Sequence, residues 1–388
     1  MLLSFTLSNF RSFKDSKTID LSAASIKEHE EAIWVVSGTS ILSSAVLYGA
    51  NSSGKSNLIE GFRTFLTTVY NSASFNSSEE LLMYPFLFDE DSRLKPCGFE
   101  IELLIEEDWY RYGFSATKEK VTSEYLYFKT GNKGREKCLF VRSEDGTGVT
   151  SHYKSAKDIV ERTRDNALFL SVADAFNDKT AGKIMRELKH FAIFDGDKSE
   201  ALAEKAISIS DEELNSFLSK FKLGFDSIRK DDNPDIKAVT IHKVYNAAGE
   251  VVGEVSMALK DSESNGTNKL FDMAPIFVKA LSSPRVLIID EFGSSMHPMI
   301  TRKLISLFND KETNPMGSQL IFTTHDTNLL DNRLLRRDQI WFTEKDDKAS
   351  TDLYSLVEFK DESGVKVRND RSYEKDYING RYGAIPYL

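Results

Sequence analysis

Leu3, Phe5 and Leu7 alternate with polar residues, the two-residue period of a half-buried strand. Asn9-Phe10-Arg11-Ser12-Phe13 then reads as a turn and Thr18-Ile19-Asp20-Leu21 as a second strand. Residues 22–44 are polar and Ser-rich and predict a loop or short helix. Ala45-Val46-Leu47-Tyr48 reads as a short buried strand, and Leu58, Ile59, Phe62, Phe65, Leu66 and Val69 recur at helical spacing. After a polar break over 71–78, the runs 99–105, 109–116, 121–128 and 137–142 predict an antiparallel meander, with Asn and Gly in the turn over 130–134.

From 155 to about 222 the pattern is helical, with polar breaks near 173–180 and 194–200. The runs 236–244 and 251–259 predict a hairpin, followed by a helical pattern through Leu270, Phe271, Ala274, Phe277, Val278 and Leu281. Pro275 lies inside that pattern; an interior proline costs a helix roughly 3 kcal/mol, so a kink or a later start is expected. Val286-Leu287-Ile288-Ile289-Asp290-Glu291 is a continuous apolar run ending in two carboxylates, as in a central parallel strand whose carboxyl end faces a site. Pro298 opens a helix bearing Ile300, Leu304, Leu307 and Phe308. The runs 319–324 and 339–343 are further buried strands, the first ending at His325-Asp326, and the tail is polar until 377–388.

The 388 residues allow two or three domains and a sizeable core. A net charge of −10 disfavours nucleic acid and anionic membrane, so nucleic acid is a possible partner only through local clusters such as Lys183/Arg186/Lys189/His190 or Arg333/Arg336/Arg337. Such short basic runs more often face water. Cys97 and Cys138 have no metal-ligand spacing and read as packed thiols of a reducing compartment. With no leader pattern and no run near 18 apolar residues, a soluble, cytoplasmic protein without membrane contact is expected.

Gly49-Ala50-Asn51-Ser52-Ser53-Gly54-Lys55-Ser56 changes the picture most, because it matches the phosphate-binding loop G-x-x-x-x-G-K-[ST] between a strand and a helix. Backbone N–H groups at a helix N-terminus converge on phosphate oxygens, and the helix dipole adds favourable potential. The backbone of Asn51, Ser52, Ser53, Gly54, Lys55, Ser56 and Asn57 is the candidate cradle. Lys55 would reach the β and γ phosphates and Ser56 would ligate Mg²⁺, so the cofactors expected are ATP and Mg²⁺.

Four elements follow in one order: phosphate loop, Ser-x-Gly before a helix, strand with Asp-Glu, strand with His. Together they resemble the ATPase heads of the ABC, SMC and RecF superfamily over most of the chain. Asn9-Phe10-Arg11-Ser12-Phe13 is similar to the N-terminal strand-turn of that group, Glu263-Ser264-Asn265-Gly266-Thr267 to its signature motif, Asp290-Glu291 to its Walker B pair and His325 to its H-loop histidine. Arg164-Asp165-Asn166-Ala167-Leu168-Phe169-Leu170-Ser171, Thr323-Thr324-His325-Asp326-Thr327 and Asn379-Gly380-Arg381-Tyr382-Gly383-Ala384-Ile385-Pro386 more narrowly resemble stand-alone, OLD-like bacterial phage-defence ATPases of the RloA, AbiL and AriA type.

The resemblance implies an α/β fold: an ABC-type P-loop ATPase head with a mixed central sheet, an antiparallel β lobe and an inserted helical lobe. Its expected parts are an N-terminal core with β lobe (1–150), a helical lobe (151–235) and a C-terminal core with signature, Walker B and H-loop (236–388). It implies Lys55, Glu291 and His325 as catalytic residues, with Glu291 polarising the attacking water and His325 contacting the γ-phosphate. It implies Ser56 and Asp290 as Mg²⁺ ligands and Arg11 near the phosphates. Ser264 and Gly266 would bind the γ-phosphate held by a second copy, so a homodimer or higher homo-oligomer sandwiching ATP is expected. The only glutamines are Gln319 and Gln339, so no Q-loop glutamine precedes the signature, and 83–89 takes that place with another residue or the coupling differs.

For function, the resemblance implies an ATP-hydrolysing sensor or regulator of anti-phage, abortive-infection defence that controls a separate operon-encoded effector, a nuclease of Toprim-like type. Three alternatives stay open: a RecF- or SMC-like DNA-repair ATPase, a nucleotide-gated scaffold that sequesters a toxin with little need for hydrolysis, and a nuclease in its own right. The last is disfavoured because a metal-nuclease domain needs roughly a 100-residue core, more than follows His325.

Overall fold

The computed structural model describes residues 1–131, 134–196, 209–231, 236–361 and 363–385. Asn132 of the expected turn, Pro386 of the tail string, and 197–208 and 232–235 of the expected helical segment lie outside the described residues.

Two sheets enclose the phosphate-loop helix. The central sheet runs Phe191–Asp195, Val286–Asp290, Gln319–Thr323, Ser44–Tyr48, Ile340–Lys345, Thr351–Ser355. Its first five strands are parallel and the last is antiparallel, so the sheet is mixed. The second sheet is antiparallel and runs Gly146–Val149, Lys137–Ser143, Val121–Thr130, Asp108–Ala116, Cys97–Ile105, Leu2–Ser8, Lys17–Asp20.

Alternation along the central strands divides the core in two. Ala45, Leu47, Val286, Ile288 and Ile321 face the helix Lys55–Asn71 and the antiparallel sheet. Val46, Tyr48, Leu287, Ile289, Leu320 and Phe322 face the helices Asn265–Ser282 and Pro298–Asn309. Phe62 stacks on Phe5 at 3.9 Å between ring centroids, and Phe65 on Phe114 at 5.7 Å. Burying side chains of this size stabilises by about 1.5–3 kcal/mol each. Gly61 permits the close approach, since a Cβ there would lie 2.8 Å from Leu7 Cδ2.

The expected antiparallel β lobe is present and is joined to the N-terminal strands: Cys97–Ile105 pairs with Leu2–Ser8, and its inner face packs on the phosphate-loop helix. Several expectations are corrected. The helical run expected over 155–222 contains the strand Phe191–Asp195, in register with Val286–Asp290. A four-residue apolar run between helices is ambiguous by periodicity alone, and pairing with a buried strand decides it. The helices Phe169–Ala175 and Lys179–Leu188 share the core under the meander. The unassigned stretch 22–44 contains a hairpin, Ile33–Val36 with Thr39–Leu42, turned by Ser37 (φ 51°) and Gly38 (φ 78°). Two positive φ angles suit a two-residue turn that follows strand twist. Pro275 does not delay its helix, which starts at Asn265. The tail adds the strand Thr351–Ser355 and the helix Tyr373–Ile378.

Candidate functional site

Parallel register puts the ends of Ser44–Tyr48, Gln319–Thr323 and Val286–Asp290 on one edge of the central sheet, where ligands of open α/β sheets bind. The phosphate loop leaves that edge and enters Lys55–Asn71 with Gly54 at φ 118°, a left-handed conformation that suits glycine. A Cβ on Gly54 would lie 2.4 Å from Thr351 Oγ1. The loop is therefore pressed against the Ile340–Lys345/Thr351–Ser355 hairpin.

A chain of hydroxyls holds it there. Asn57 Nδ2 donates to Ser12 Oγ (2.7 Å), Ser12 Oγ and Thr351 Oγ1 share a hydrogen bond (2.7 Å), and Thr351 Oγ1 donates to Ser53 O (2.9 Å). Ser53 Oγ bonds Thr343 Oγ1 at 2.6 Å. The side chains of Ser53 and Asn57 thus frame the loop, while Asn51, Ser52 and Ser56 are exposed along it.

Lys55 is buried, and its Nζ donates to Gly49 O (2.7 Å) and Ala50 O (3.0 Å). Loss of hydration lowers its pKa to about 8, against the opposing attraction of Asp290 and Glu291. The ammonium is thereby kept beside the loop with the two carboxylates in electrostatic range.

The strand Val286–Asp290 stops one residue earlier than the apolar run suggests, and Glu291 turns off it with φ 55°. A non-glycine residue held there costs of order 1–3 kcal/mol and persists only where its surroundings over-determine it. Thr323 does so: its Oγ1 donates to Asp290 Oδ1 (2.5 Å) and accepts from Glu291 N–H (2.7 Å). Gly196 crosses the same turn, where a Cβ would meet Glu291 O at 2.7 Å. His325, exposed just past its strand, has its pKa lowered by partial burial and by the Lys55 charge, with Asp290 opposing.

Arg11, at φ 50°, pairs loosely with Glu60 (3.7 Å), and its guanidinium lies 5.1 Å from the Tyr84 ring centroid. Its neighbour Ser12 is the residue that grips the loop. Ser264 caps the helix Asn265–Ser282, its Oγ accepting from Thr267 N–H at 3.2 Å. Gly266 lies close to the turn beyond Glu291, since a Cβ there would be 3.3 Å from Ser295 O, and Lys269 Nζ donates to Ser294 O (2.6 Å). The signature helix is thus docked on the segment leaving the carboxylates.

Lys55, Asp290, Glu291 and His325 therefore share one sheet edge, whereas Ser264 and Gly266 reach it only through 294–295. Sequence reasoning missed Thr323, Thr343, Thr351 and Ser12 as braces of the site. It also missed Asp195, opposite Asp290 in the strand register. The hydroxyls that end apolar runs, at Thr323 and Thr343, were the available signal.

This fold and site define a P-loop ATPase. Residues 44–331 match the family model described as "AAA domain, putative AbiEii toxin, Type IV TA system", and the chain belongs to that family. Among solved structures it is similar to the SMC head domain from Thermotoga maritima, at 15% identity over 91% of this chain and 98% of that one, with a TM-score of 0.46. It is also similar to cbiO1 from Clostridium perfringens, part of the ABC transporter complex cbiONQ, at 10% identity over 91% and 88%, with a TM-score of 0.33. The family match together with the phosphate loop carries the assignment. No curated protein matches the chain. Among the described residues no helix is long and apolar enough to cross a membrane.

Proposed function

We propose that this ATPase is a cytoplasmic sensor or regulator of bacterial anti-phage, abortive-infection defence that acts on a separate effector, a nuclease. The observation that carries the reading is the convergence of Lys55, Asp290, Glu291 and His325 on one sheet edge in a chain whose family description names a putative AbiEii toxin and a Type IV TA system.

Lys55 exchanges the carbonyls of Gly49 and Ala50 for phosphate oxygens, and the loop N–H groups take the remaining charge. The donor set suits Mg²⁺: Ser56 offers an exposed hydroxyl, and Asp290 has one oxygen tied to Thr323 and the other left for the ion or its water. When bound, Mg²⁺ neutralises charge on the β and γ phosphates. Glu291, fixed through its backbone by Thr323, would orient the attacking water, and His325 and Arg11 would add positive or hydrogen-bonding groups toward the phosphates. Ser264 and Gly266 complete the site of a second copy, so turnover follows assembly of an ATP-sandwiched homodimer.

Lys55→Ala and Glu291→Gln separate the parts. The first is expected to abolish nucleotide binding, and the second to keep binding while lowering phosphate release at least 100-fold; both are expected to abolish phage restriction in cells carrying the neighbouring genes. If turnover and restriction survive both changes, the reading fails.

A further inference from the structure

Lys183, Arg333, Arg336 and Arg337 of the basic clusters each hold an acidic partner: Glu106, Asp331, Asp338 and Glu28 in turn. The surface that nucleotide turnover leaves unexplained is apolar instead. It lies in two places, each fastened to a different half of the nucleotide site.

The first is the stretch 81–94. Leu81, Met83 and Phe86 are buried, whereas Leu82, Tyr84, Leu87, Phe88 and Leu94 face solvent, Phe88 and Leu94 being 71% and 84% exposed. The backbone that holds them out is pinned. Arg11 N–H donates to Tyr84 O (2.7 Å), Phe86 N–H to Asn9 Oδ1 (3.1 Å), Asn9 Nδ2 to Ser92 O and Lys95 O (both 2.9 Å), and Lys14 Nζ to Asp89 Oδ1 (2.7 Å). The stretch is thereby tied to the turn 9–14, whose Ser12 grips the phosphate loop.

The second is the hairpin of Ala238–Tyr245 and Val251–Ala258. Val251–Ala258 is the outer strand of a three-stranded sheet, is exposed from Val251 to Met257, and has no strand on its outer edge among the described residues. Val251, Val255 and Met257 share one face, with Val244 opposite Gly253 on the neighbouring strand. An exposed, apolar edge strand is a template for association, and exposed apolar patches mark interaction surfaces. The hairpin leads straight into the signature: Ser262 Oγ donates to Ala258 O (2.7 Å), His242 Nε2 lies 3.4 Å from Glu263 Oε1, and Ser264 follows.

We propose that the two surfaces cover each other between two copies of this chain, the stretch 81–94 of one copy against the hairpin of the other, an interface that rests on the ATP-sandwiched homodimer described above. In that homodimer each nucleotide lies between the phosphate loop of one copy and Ser264 of the other. The stretch tied to the loop and the hairpin continuous with the signature then flank the same nucleotide from opposite chains. A two-fold axis repeats the contact at the second nucleotide, so both surfaces of both copies are closed off. Little charge is desolvated, because 81–88 contains no charged side chain and Val251–Ala258 only Glu254, which lies opposite Lys243.

Sedimentation of the Glu291→Gln chain with ATP and Mg²⁺ reads the interface. Phe88→Asp, and separately Val252→Asp/Val255→Asp, are each expected to weaken the ATP-dependent dimer by about tenfold or more. ATP binding and thermal melting are expected to be unchanged, since all three side chains are exposed. If the Asp pair lowers melting, Val252→Thr/Val255→Thr, which keeps β-branching, is measured in its place. Leu87→Lys/Phe88→Lys combined with Val252→Asp/Val255→Asp is expected to regain most of the lost affinity, whereas Asp on both surfaces is not. A Glu291→Gln chain that forms no ATP-dependent dimer overturns the sandwich and this interface with it. A dimer that neither surface change weakens overturns this interface alone. So does a dimer that keeps its affinity in variants that lose phage restriction, an outcome that gives the surfaces to a separate effector.

Discussion

Thr323 Oγ1 lies 2.5 Å from Asp290 Oδ1, and the same oxygen receives the Glu291 N–H at 2.7 Å. One buried hydroxyl therefore orients both carboxylate-bearing residues of the site. Thr323→Val preserves shape but removes this donor and acceptor. Turnover is expected to fall about 10- to 100-fold, the range seen when a partner of a metal ligand is lost. The Mg²⁺ concentration for half-maximal rate is expected to rise as well, and Thr323→Ser to restore most of both. Steady-state phosphate release across a Mg²⁺ series measures the effect.

Lys55 couples nucleotide binding to pH. Its pKa of about 8 in the fold is below the usual 10.5, so above pH 8 the folded chain loses a proton that the unfolded chain keeps. Stability from this group therefore rises between pH 8 and 10.5, while affinity for ATP, which needs the ammonium, falls by up to tenfold per pH unit. Titrating a fluorescent ATP analogue from pH 7 to 9.5 tests this, and Lys55→Arg, which stays charged, is expected to flatten the curve.

Ser264 caps its helix through Thr267 N–H, and exchanging such a cap costs about 0.5–2 kcal/mol without unfolding the domain. Ser264→Arg is expected to leave ATP binding intact but to remove the ATP-dependent dimer trapped by Glu291→Gln. Sedimentation with and without ATP reads the difference, and a dimer unchanged by Ser264→Arg would place the signature motif outside the interface.

Glu124 explains part of the string Arg164–Ser171. Its buried carboxylate accepts from Phe169 N–H (2.7 Å), Leu170 N–H (2.9 Å) and Tyr112 Oη (2.9 Å), with Arg142 Nη1 at 3.6 Å. Arg142 in turn donates to Ala167 O (2.6 Å), and Ser171 Oγ donates to Val69 O (2.6 Å) on the phosphate-loop helix. Glu124→Ala leaves a buried guanidinium uncompensated and is expected to cost about 3–5 kcal/mol in urea unfolding. Burial raises the Glu124 pKa above the usual 4.5, against the opposing Leu170 N–H and Arg142, so its stabilising share declines as pH rises through the folded value. Glu124→Gln is expected to remove that slope.

Much of the active edge is legible in the sequence because it is encoded at short range. The loop Gly49 to Ser56 has its fixed residues within eight positions, and the strands ending at Asp290 and Thr323 are unbroken apolar runs. The helix of Lys55–Asn71 follows from a period of three to four residues. The strand Phe191–Asp195 was missed because four apolar residues among helices carry no period of their own, and the hairpin at Ser37-Gly38 because its polar residues masked a turn signal.

What the sequence by itself determined is the kind of protein: a strand, phosphate loop and helix, followed by carboxylates and a histidine at strand ends, each readable from neighbours in the chain. Only the tertiary structure decided which groups meet. Thr323 reaches Asp290 across 33 residues and Ser12 reaches Thr351 across 339. The same holds for charge, where Lys183 is neutralised from the meander by Glu106. Local spacing sets backbone conformation and the buried face of each element, but pairing between distant side chains depends on strand order and sheet packing, which no local window contains.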